Sequence, residues 1–250
     1  MHIHHPANRS AAGIGSPATR RSFLRFSATA GSGILLGTQG APSHAAEETE
    51  GVTATEDLMR EHGVLRRVLI LYTEAAATLR RDAAAVDARA LSAAATLFRE
   101  FGEEYHERTL EEEHVFPEVR RAGGAAGKLV DTLEAQHRRG REITEYVLGV
   151  VRQDAIRSRG VALADALDGF ARMYRSHAAF EDTVVFPAWK KALRPKQLDE
   201  LAEQFEDIEH ERFGEDGFDA ALERIADAER AFGLDDLGKL TALAPPTGQR

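Results

Sequence analysis

The feature that most constrains this chain is a pattern that occurs twice. The two copies are Tyr105-His106 to Val115-Phe116-Pro117 and Ser176-His177 to Val185-Phe186-Pro187. A further histidine lies in the segment before each copy, His62 before the first and His137 before the second. The pattern predicts a duplicated helical hairpin. Two such hairpins bury their apolar faces most economically as an up-down-up-down four-helix bundle.

Composition and the positions of the prolines and capping residues favour an all-α fold. Beyond residue 46 the chain is rich in Ala, Leu, Glu and Arg, and its prolines fall at the expected breaks. Thr53 followed by Glu56 has the spacing of a capping box. The predicted helices cover about 55–82, 87–121, 126–152, 161–189, 195–213 and 218–232.

Two additional C-terminal helices are therefore expected to pack on the bundle. The predicted divisions of the chain are residues 1–45 as a signal, 46–54 as a linker, 55–192 as the bundle, 193–235 as the appended helices and 236–250 as a flexible tail.

The first 45 residues are typical of a twin-arginine export signal. Arg20 and Arg21 precede an apolar Ala/Gly/Leu run over 26–37, and Ser43-His44-Ala45 has the small-x-small pattern of a cleavage site. The apolar run is far shorter than the roughly 20 residues that cross a bilayer. We expect a cleaved signal, no membrane insertion afterwards, and a periplasmic or extracellular protein. Because this route carries folded proteins, often with cofactors inserted, the signal also favours a bound metal.

Charge and cysteine content exclude several classes of function. The chain has no cysteine, which excludes disulfides, thiolate metal sites and a cysteine nucleophile. The first 45 residues hold four arginines and no acidic residue, so cleavage takes the net charge from −9 to −13. Such an acidic protein is not expected to bind nucleic acid. A metal would have to be held by His, Asp or Glu.

The four histidines of the repeated pattern are expected to meet. In an antiparallel bundle their positions place one histidine from each helix roughly 10 to 17 Å from the same end. Glu181 follows His177 by four residues, so both side chains lie on one helix face. Four imidazoles with carboxylates suit a borderline metal such as iron, and shared glutamates suit a pair of ions.

On these motifs the sequence resembles the hemerythrin-like, His-His-Glu cation-binding family over about residues 55–190. The resemblance implies a non-haem di-iron centre, bridged by carboxylates, that binds dioxygen or another small diatomic or peroxide ligand. It leaves the redox partner open. The implied metal ligands are His62, His106, Glu111, His137, His177 and Glu181.

The sequence departs from the family pattern at the carboxylate after His106. The family places it four residues on, whereas Glu111 is five residues on, about 140° away around an α-helix. A π-bulge near residues 108–110 would bring both onto one face, and such bulges are frequent at functional sites. Without the bulge, Glu107 or Glu103 is the predicted ligand.

A second departure lies in the third helix. Oxygen-carrying members have a second histidine four residues after the first, but here Arg141 follows His137. The difference favours sensing, iron handling or a reaction with a reduced oxygen or nitrogen species over oxygen transport. Gly140 is expected either to leave room for a small ligand or to make a packing contact.

Three other functions fit parts of the sequence. The same metals could serve an enzyme that reacts with dioxygen, peroxide or nitric oxide. A ferritin-like carboxylate bundle would use Glu103 with His106 and Glu134 with His137, which leaves His62 and His177 unused. A metal-free structural bundle is the remaining hypothesis.

Two further groups have open or surface assignments. Glu206 and His210 have the spacing of a ligand pair, although a surface helix is the simpler interpretation. Glu112 is predicted to be a solvated residue.

Overall fold

The computed structural model describes residues 52–214 and 216–245, and every regular element within them is a helix. The predicted signal, the predicted linker up to residue 51, and residues 246–250 of the predicted tail lie outside the described residues. The main helices are α1 (Ala54–Asp82), α2 (Ala88–Leu97, Phe98–Val115 and Phe116–Ala122 in succession), α3 (Val130–Arg152), α4 (Ile156–Phe180, Glu181–Val185 and Phe186–Ala192 in succession), α5 (Pro195–Phe213) and α6 (Gly217–Phe232).

Three short helices complete the described chain. They are a 3₁₀ helix over Ala83–Ala85, an α-helical turn over Gly124–Gly127, and a 3₁₀ helix over Leu237–Leu240 that lies within the predicted tail.

The helix ends follow local capping chemistry. Thr53 and Glu56 form the predicted capping box, with the Thr53 N–H donating to the Glu56 carboxylate at 2.9 Å. Asp87 caps α2 by accepting two backbone N–H groups at 2.9 Å. Gly123, with φ of 72°, ends α2 in a conformation that favours glycine. The start of α1 is therefore confirmed to within one residue.

Helix α4 begins five residues earlier than predicted, because Gly160 continues the helix instead of breaking it. Gly160 lies where the chain passes close to the end of α1, and a Cβ there would be 3.0 Å from Ala83 Cβ. The glycine therefore serves close packing between the two helices.

The all-α bundle with two additional helices is confirmed. Helices α1 to α4 form the bundle, α5 packs on α1, and α6 packs on α1 and α2. Trp189 and Phe205 join the appended helices to the bundle, because their rings stack with centroids 6.1 Å apart and are almost fully buried. None of the described helices combines the length and apolar character needed to cross a membrane.

Two helices of the bundle contain a stretch of π-helix, which covers Phe98–Val115 in α2 and Glu181–Val185 in α4. The bonds that close them run from the Phe116 N–H to the Glu111 carbonyl and from the Phe186 N–H to the Glu181 carbonyl. A proline follows each phenylalanine, and proline clashes with the carbonyl four residues before it in an α-helix. The wider π turn relieves that clash. The bulge predicted near residues 108–110 is confirmed and is longer than expected.

The Trp189–Phe205 contact generates a stability prediction. We expect Phe205→Ala to lower the free energy of unfolding by about 3 to 5 kcal/mol, because it leaves a cavity between α5 and the bundle. Urea denaturation of the metal-free protein measures the change. Phe180→Ala is the matched control, since Phe180 is 49% exposed, and we expect it to change stability by about 0.5 kcal/mol or less. Equal losses in both variants would contradict the packing assigned to Phe205.

Candidate metal centre

The structure brings all six predicted ligands together in the interior of the bundle. None of the six is more than 3% exposed. We call them the six-residue cluster: His62 from α1, His106 and Glu111 from α2, His137 from α3, and His177 and Glu181 from α4.

The four histidines form two pairs. The rings of His62 and His106 have centroids 4.7 Å apart, and those of His137 and His177 are 4.8 Å apart. In the second pair the two Nε2 atoms are 3.0 Å apart. Each pair therefore directs imidazole nitrogens into a common space.

The two carboxylates join the pairs. Glu111 lies 3.4 Å from His106 Nε2 through one oxygen and 3.4 Å from His137 Nε2 through the other. Glu181 lies 3.0 Å from His177 Nε2 and 3.4 Å from His62 Nε2, again through different oxygens. Each histidine pair thus faces one oxygen of each glutamate, which is the arrangement that two bridged cations require.

Several atoms at the centre of the cluster have no hydrogen-bond partner. They are His106 Nε2, both carboxylate oxygens of Glu111 and both carboxylate oxygens of Glu181, and all are buried. A buried polar group without a partner carries a free-energy penalty, so most are satisfied in folded proteins. Imidazole and carboxylate groups left open in this way are suitable ligands for a cation. The residues present therefore fit a metal centre.

The other nitrogen of every histidine is bound by an oxygen. The Nδ1 partners and distances are Asp182 at 2.7 Å from His62, Glu61 at 2.6 Å from His106, Glu112 at 2.9 Å from His137 and Gln136 at 2.9 Å from His177. Such bonds fix each ring and leave Nε2 free to bind a metal.

These outer contacts repeat with the duplicated sequence. Glu61 and Gln136 each precede a cluster histidine in the chain, while Glu112 and Asp182 each follow a cluster glutamate. Arginines bind the latter two: Arg66 contacts Asp182, and Arg141 donates to Glu112 at 2.6 Å. The phenylalanines before the two prolines repeat as well, because Phe116 stacks on His137 and Phe186 stacks on His62.

The charges of the cluster compensate one another in the absence of a cation. Burial lowers the pKa of His106, but Glu111 and Glu61 outweigh this effect and hold that pKa well above its ordinary value. Burial raises the pKa of Glu181, but His177 and His62 outweigh it and hold that pKa below its ordinary value. A cation must therefore displace protons from the imidazoles when it binds.

The remaining predicted candidates lie outside the centre of the cluster. Glu107 accepts a hydrogen bond from the Tyr174 hydroxyl at 2.6 Å, and Glu103 lies 4.0 Å from the Arg99 guanidinium. His210 is exposed. The prediction that Glu112 is solvated is wrong, because its carboxylate bonds His137 and is only 25% exposed.

Gly140 makes a packing contact and does not open space for a ligand. A Cβ at this position would lie 2.0 Å from the Tyr174 hydroxyl. The close approach of Tyr174 to α3 therefore requires glycine.

Sequence reasoning missed the Nδ1 partners Glu61, Gln136 and Asp182. The one sequence feature that could have indicated them is their position, because each lies next to a predicted ligand in the chain. Adjacent helical positions point about 100° apart, so adjacency alone does not predict which of them turns back toward a histidine on another helix.

A helical bundle that directs four histidines and two shared glutamates into one buried space defines a cation-binding bundle. Residues 53–189 match the family model described as the hemerythrin HHE cation binding domain, and the chain belongs to this family.

Two mycobacterial proteins are similar to most of this chain. An uncharacterized protein of Mycobacterium tuberculosis and one of Mycobacterium bovis are each 40% identical over 236 residues, which cover 89% of this chain and 90% of theirs. No solved structure matches the chain.

Glu103 generates a pH-dependent stability prediction. Burial, with Glu107 nearby, raises its pKa to about 7, above the ordinary 4.5. Because the folded state holds this proton more tightly than the unfolded state, stability falls as pH rises through 7. We expect Glu103→Gln to abolish this loss, which is about 3 kcal/mol at full ionisation.

Urea denaturation of the metal-free protein at pH 5 and pH 8 measures the difference. The difference in free energy of unfolding, Glu103→Gln minus parent, should be more positive at pH 8 than at pH 5. Glu113→Gln, at an exposed position in the same helix, is the control and should leave the pH profile unchanged. A parallel profile for parent and Glu103→Gln would contradict the raised pKa.

Proposed function

We propose that this chain is a non-haem di-iron protein that binds or senses a small ligand, dioxygen or another diatomic or peroxide molecule, in the six-residue cluster. The observation that carries the proposal is the pair of buried glutamates whose four oxygens face four histidines and have no hydrogen-bond partner. His62 and His106 would hold one ion, His137 and His177 the other, and Glu111 and Glu181 would be shared.

The donor set supports iron as the metal. Imidazole and carboxylate ligands suit iron among the borderline metals, and the chain has no cysteine to favour softer ones. Iron held by these residues would supply reversible one-electron chemistry toward a small ligand.

A small cavity beside the histidines supports a small ligand over a large substrate. Its volume is about 10 Å³, which is room for a single water-sized molecule. Residues lining it include His62, His106, His177, Glu107, Tyr174 and Leu69. The walls are otherwise mostly apolar, so they exclude larger polar substrates.

Tyr174 and Glu107 supply the polar wall of this cavity. Burial, with Glu107 and Glu103 nearby, raises the pKa of Tyr174 well above its ordinary value, so the phenol keeps its proton. That proton is donated to Glu107 at 2.6 Å. A proton held beside the ligand space favours a second candidate function, an enzyme that reacts with dioxygen, peroxide or nitric oxide.

The geometry gives less support to a ferritin-like carboxylate bundle. That arrangement needs Glu134 as a ligand, but Glu134 accepts a hydrogen bond from Arg120 at 3.0 Å at the surface. It would also leave His62 and His177 without a role, although both are buried in the six-residue cluster.

Export by the twin-arginine route is part of the proposal. It is supported by Arg20 and Arg21, the apolar run over 26–37 and the small-x-small pattern at Ser43-His44-Ala45. A periplasmic or extracellular location would place the iron centre where small oxidants arrive from outside the cell.

Iron content tests the centre directly. We expect about two iron ions per chain in the parent protein, and a loss of at least half on His106→Ala or His177→Ala, because each change removes one ligand of one ion. Elemental analysis of the purified protein measures this. His210→Ala is the matched control, since His210 is exposed, and should retain full iron. Full retention by both cluster variants would refute the centre.

Exposure to oxygen separates the two candidate functions. We expect the reduced, iron-loaded protein to develop a visible absorption band on adding dioxygen, and the band to disappear when dioxygen is removed. Rapid decay of the band with consumption of a reductant would instead favour the enzyme. In that case Tyr174→Phe should slow the consumption without changing iron content, because it removes the proton beside the cavity. Absence of any spectral change would count against both functions.

A further inference from the structure

The two halves of the cluster have equivalent surroundings in most respects. The histidines of α1 and α3 match, since each bonds a carboxylate that an arginine also binds. The histidines of α2 and α4 differ. His106 Nδ1 bonds the Glu61 carboxylate at 2.6 Å, whereas His177 Nδ1 bonds the neutral Gln136 amide oxygen at 2.9 Å.

This difference changes the donor strength of the two imidazoles. A hydrogen bond from Nδ1 to a carboxylate is charge-assisted, and it makes the opposite nitrogen a better metal ligand. An amide oxygen has the same effect to a smaller extent. Glu61 is fully buried, so water screens its charge little. His106 is therefore the stronger ligand of the two.

Glu107 is the acidic group that could offset this asymmetry. Its carboxylate lies 4.0 Å from His137 Nδ1, in the other half of the cluster. However, it accepts the Tyr174 proton at 2.6 Å and lies 3.5 Å from Arg141. Tyr174 and Arg141 partly neutralise the Glu107 carboxylate, and Glu107 makes no hydrogen bond to a histidine. Its effect on the donor strength of His137 is therefore weaker than the effect of Glu61 on His106.

The appended helices hold Glu61 in place through Tyr105. The Tyr105 hydroxyl donates to Glu61 at 3.2 Å and lies 3.5 Å from Glu209, at the end of α5. Glu209 in turn accepts the Phe218 N–H of α6 at 2.6 Å. The edge of the Tyr105 ring packs on Phe213, with centroids 5.3 Å apart. Helix α5 thus contacts both the hydroxyl and the ring of Tyr105, and α6 supports the Glu209 carboxylate.

The tyrosine that supports Glu61 occurs in only one of the two copies of the repeated pattern. The position of Tyr105 in the first copy corresponds to Ser176 in the second. Serine is too short to reach across the bundle as tyrosine does. The charged partner and its support therefore occur together in the half that holds His62 and His106.

We propose that Glu61, held by Tyr105, makes the two metal positions inequivalent, so that the His62–His106 position binds its ion more tightly than the His137–His177 position. This inference rests on the proposed di-iron centre. Glu61 and Tyr105 act as positioning residues, since neither faces the shared space of the cluster.

Titration of the metal-free full chain with cobalt(II), whose visible bands report coordination, tests the inference. We expect two binding steps in the parent. Glu61→Gln gives His106 the partner that His177 has, and should weaken the tighter step about tenfold and shift its band. Gln136→Glu makes the reciprocal change and should tighten the weaker step. His106→Ala and His177→Ala assign the steps, because they should remove the tighter and the weaker one respectively.

Tyr105→Phe provides a second variant that keeps the ring packing on Phe213. We expect this variant to weaken the tighter binding step less than Glu61→Gln does, because Glu61 loses only its hydrogen bond from Tyr105. The visible band of that step should also shift. Equal affinities in the parent, or the same weakening of both steps by Glu61→Gln, would overturn the inference. Failure of the parent to bind cobalt would overturn the centre itself, so the two failures are distinguishable. Circular dichroism confirms that each variant is folded.

Discussion

The structure depends on the mutual compensation of buried imidazoles and carboxylates drawn from four helices. Burying two ionised glutamates inside a bundle costs free energy unless positively charged groups or a cation lie beside them. Burial lowers the pKa values of His62, His106 and His137, but the neighbouring carboxylates outweigh this effect and raise them above the ordinary value, so these three rings hold their protons. A bound cation would replace those protons. The same residues therefore balance one another's charge and still leave buried atoms without a hydrogen-bond partner that a cation could bind.

The duplicated pattern explains how a simple bundle reaches this arrangement. A π turn that begins at Glu111 or Glu181 precedes each proline, and this wider turn relieves the clash that proline makes with the carbonyl four residues before it. Each phenylalanine before a proline then stacks on a histidine of the other hairpin. Because both contacts join the two hairpins, neither hairpin alone would make either of them, which ties formation of the six-residue cluster to assembly of the whole bundle.

The appended helices link the fold to the centre. The family match ends at residue 189, yet α5 reaches the interior through Glu209 and Phe213, which contact Tyr105. Because Tyr105 donates to Glu61 and Glu61 bonds His106, a part of the chain outside the family domain contributes to the environment of one cluster histidine. Such outer contacts tune affinity without supplying a ligand.

The amino-acid sequence specified the helical class, the duplicated hairpins and the convergence of the four histidines, because periodicity and helix rise fix which residues share a face and a height. It also predicted the bulge that brings Glu111 to His106, from one residue too many between them. Packing between the helices set the remaining contacts, in which Glu61 and Gln136 bind the Nδ1 side of the rings and Gly140 makes room for Tyr174. Those contacts join side chains from different helices, and their geometry depends on how the helices rotate and approach one another, which no local pattern encodes.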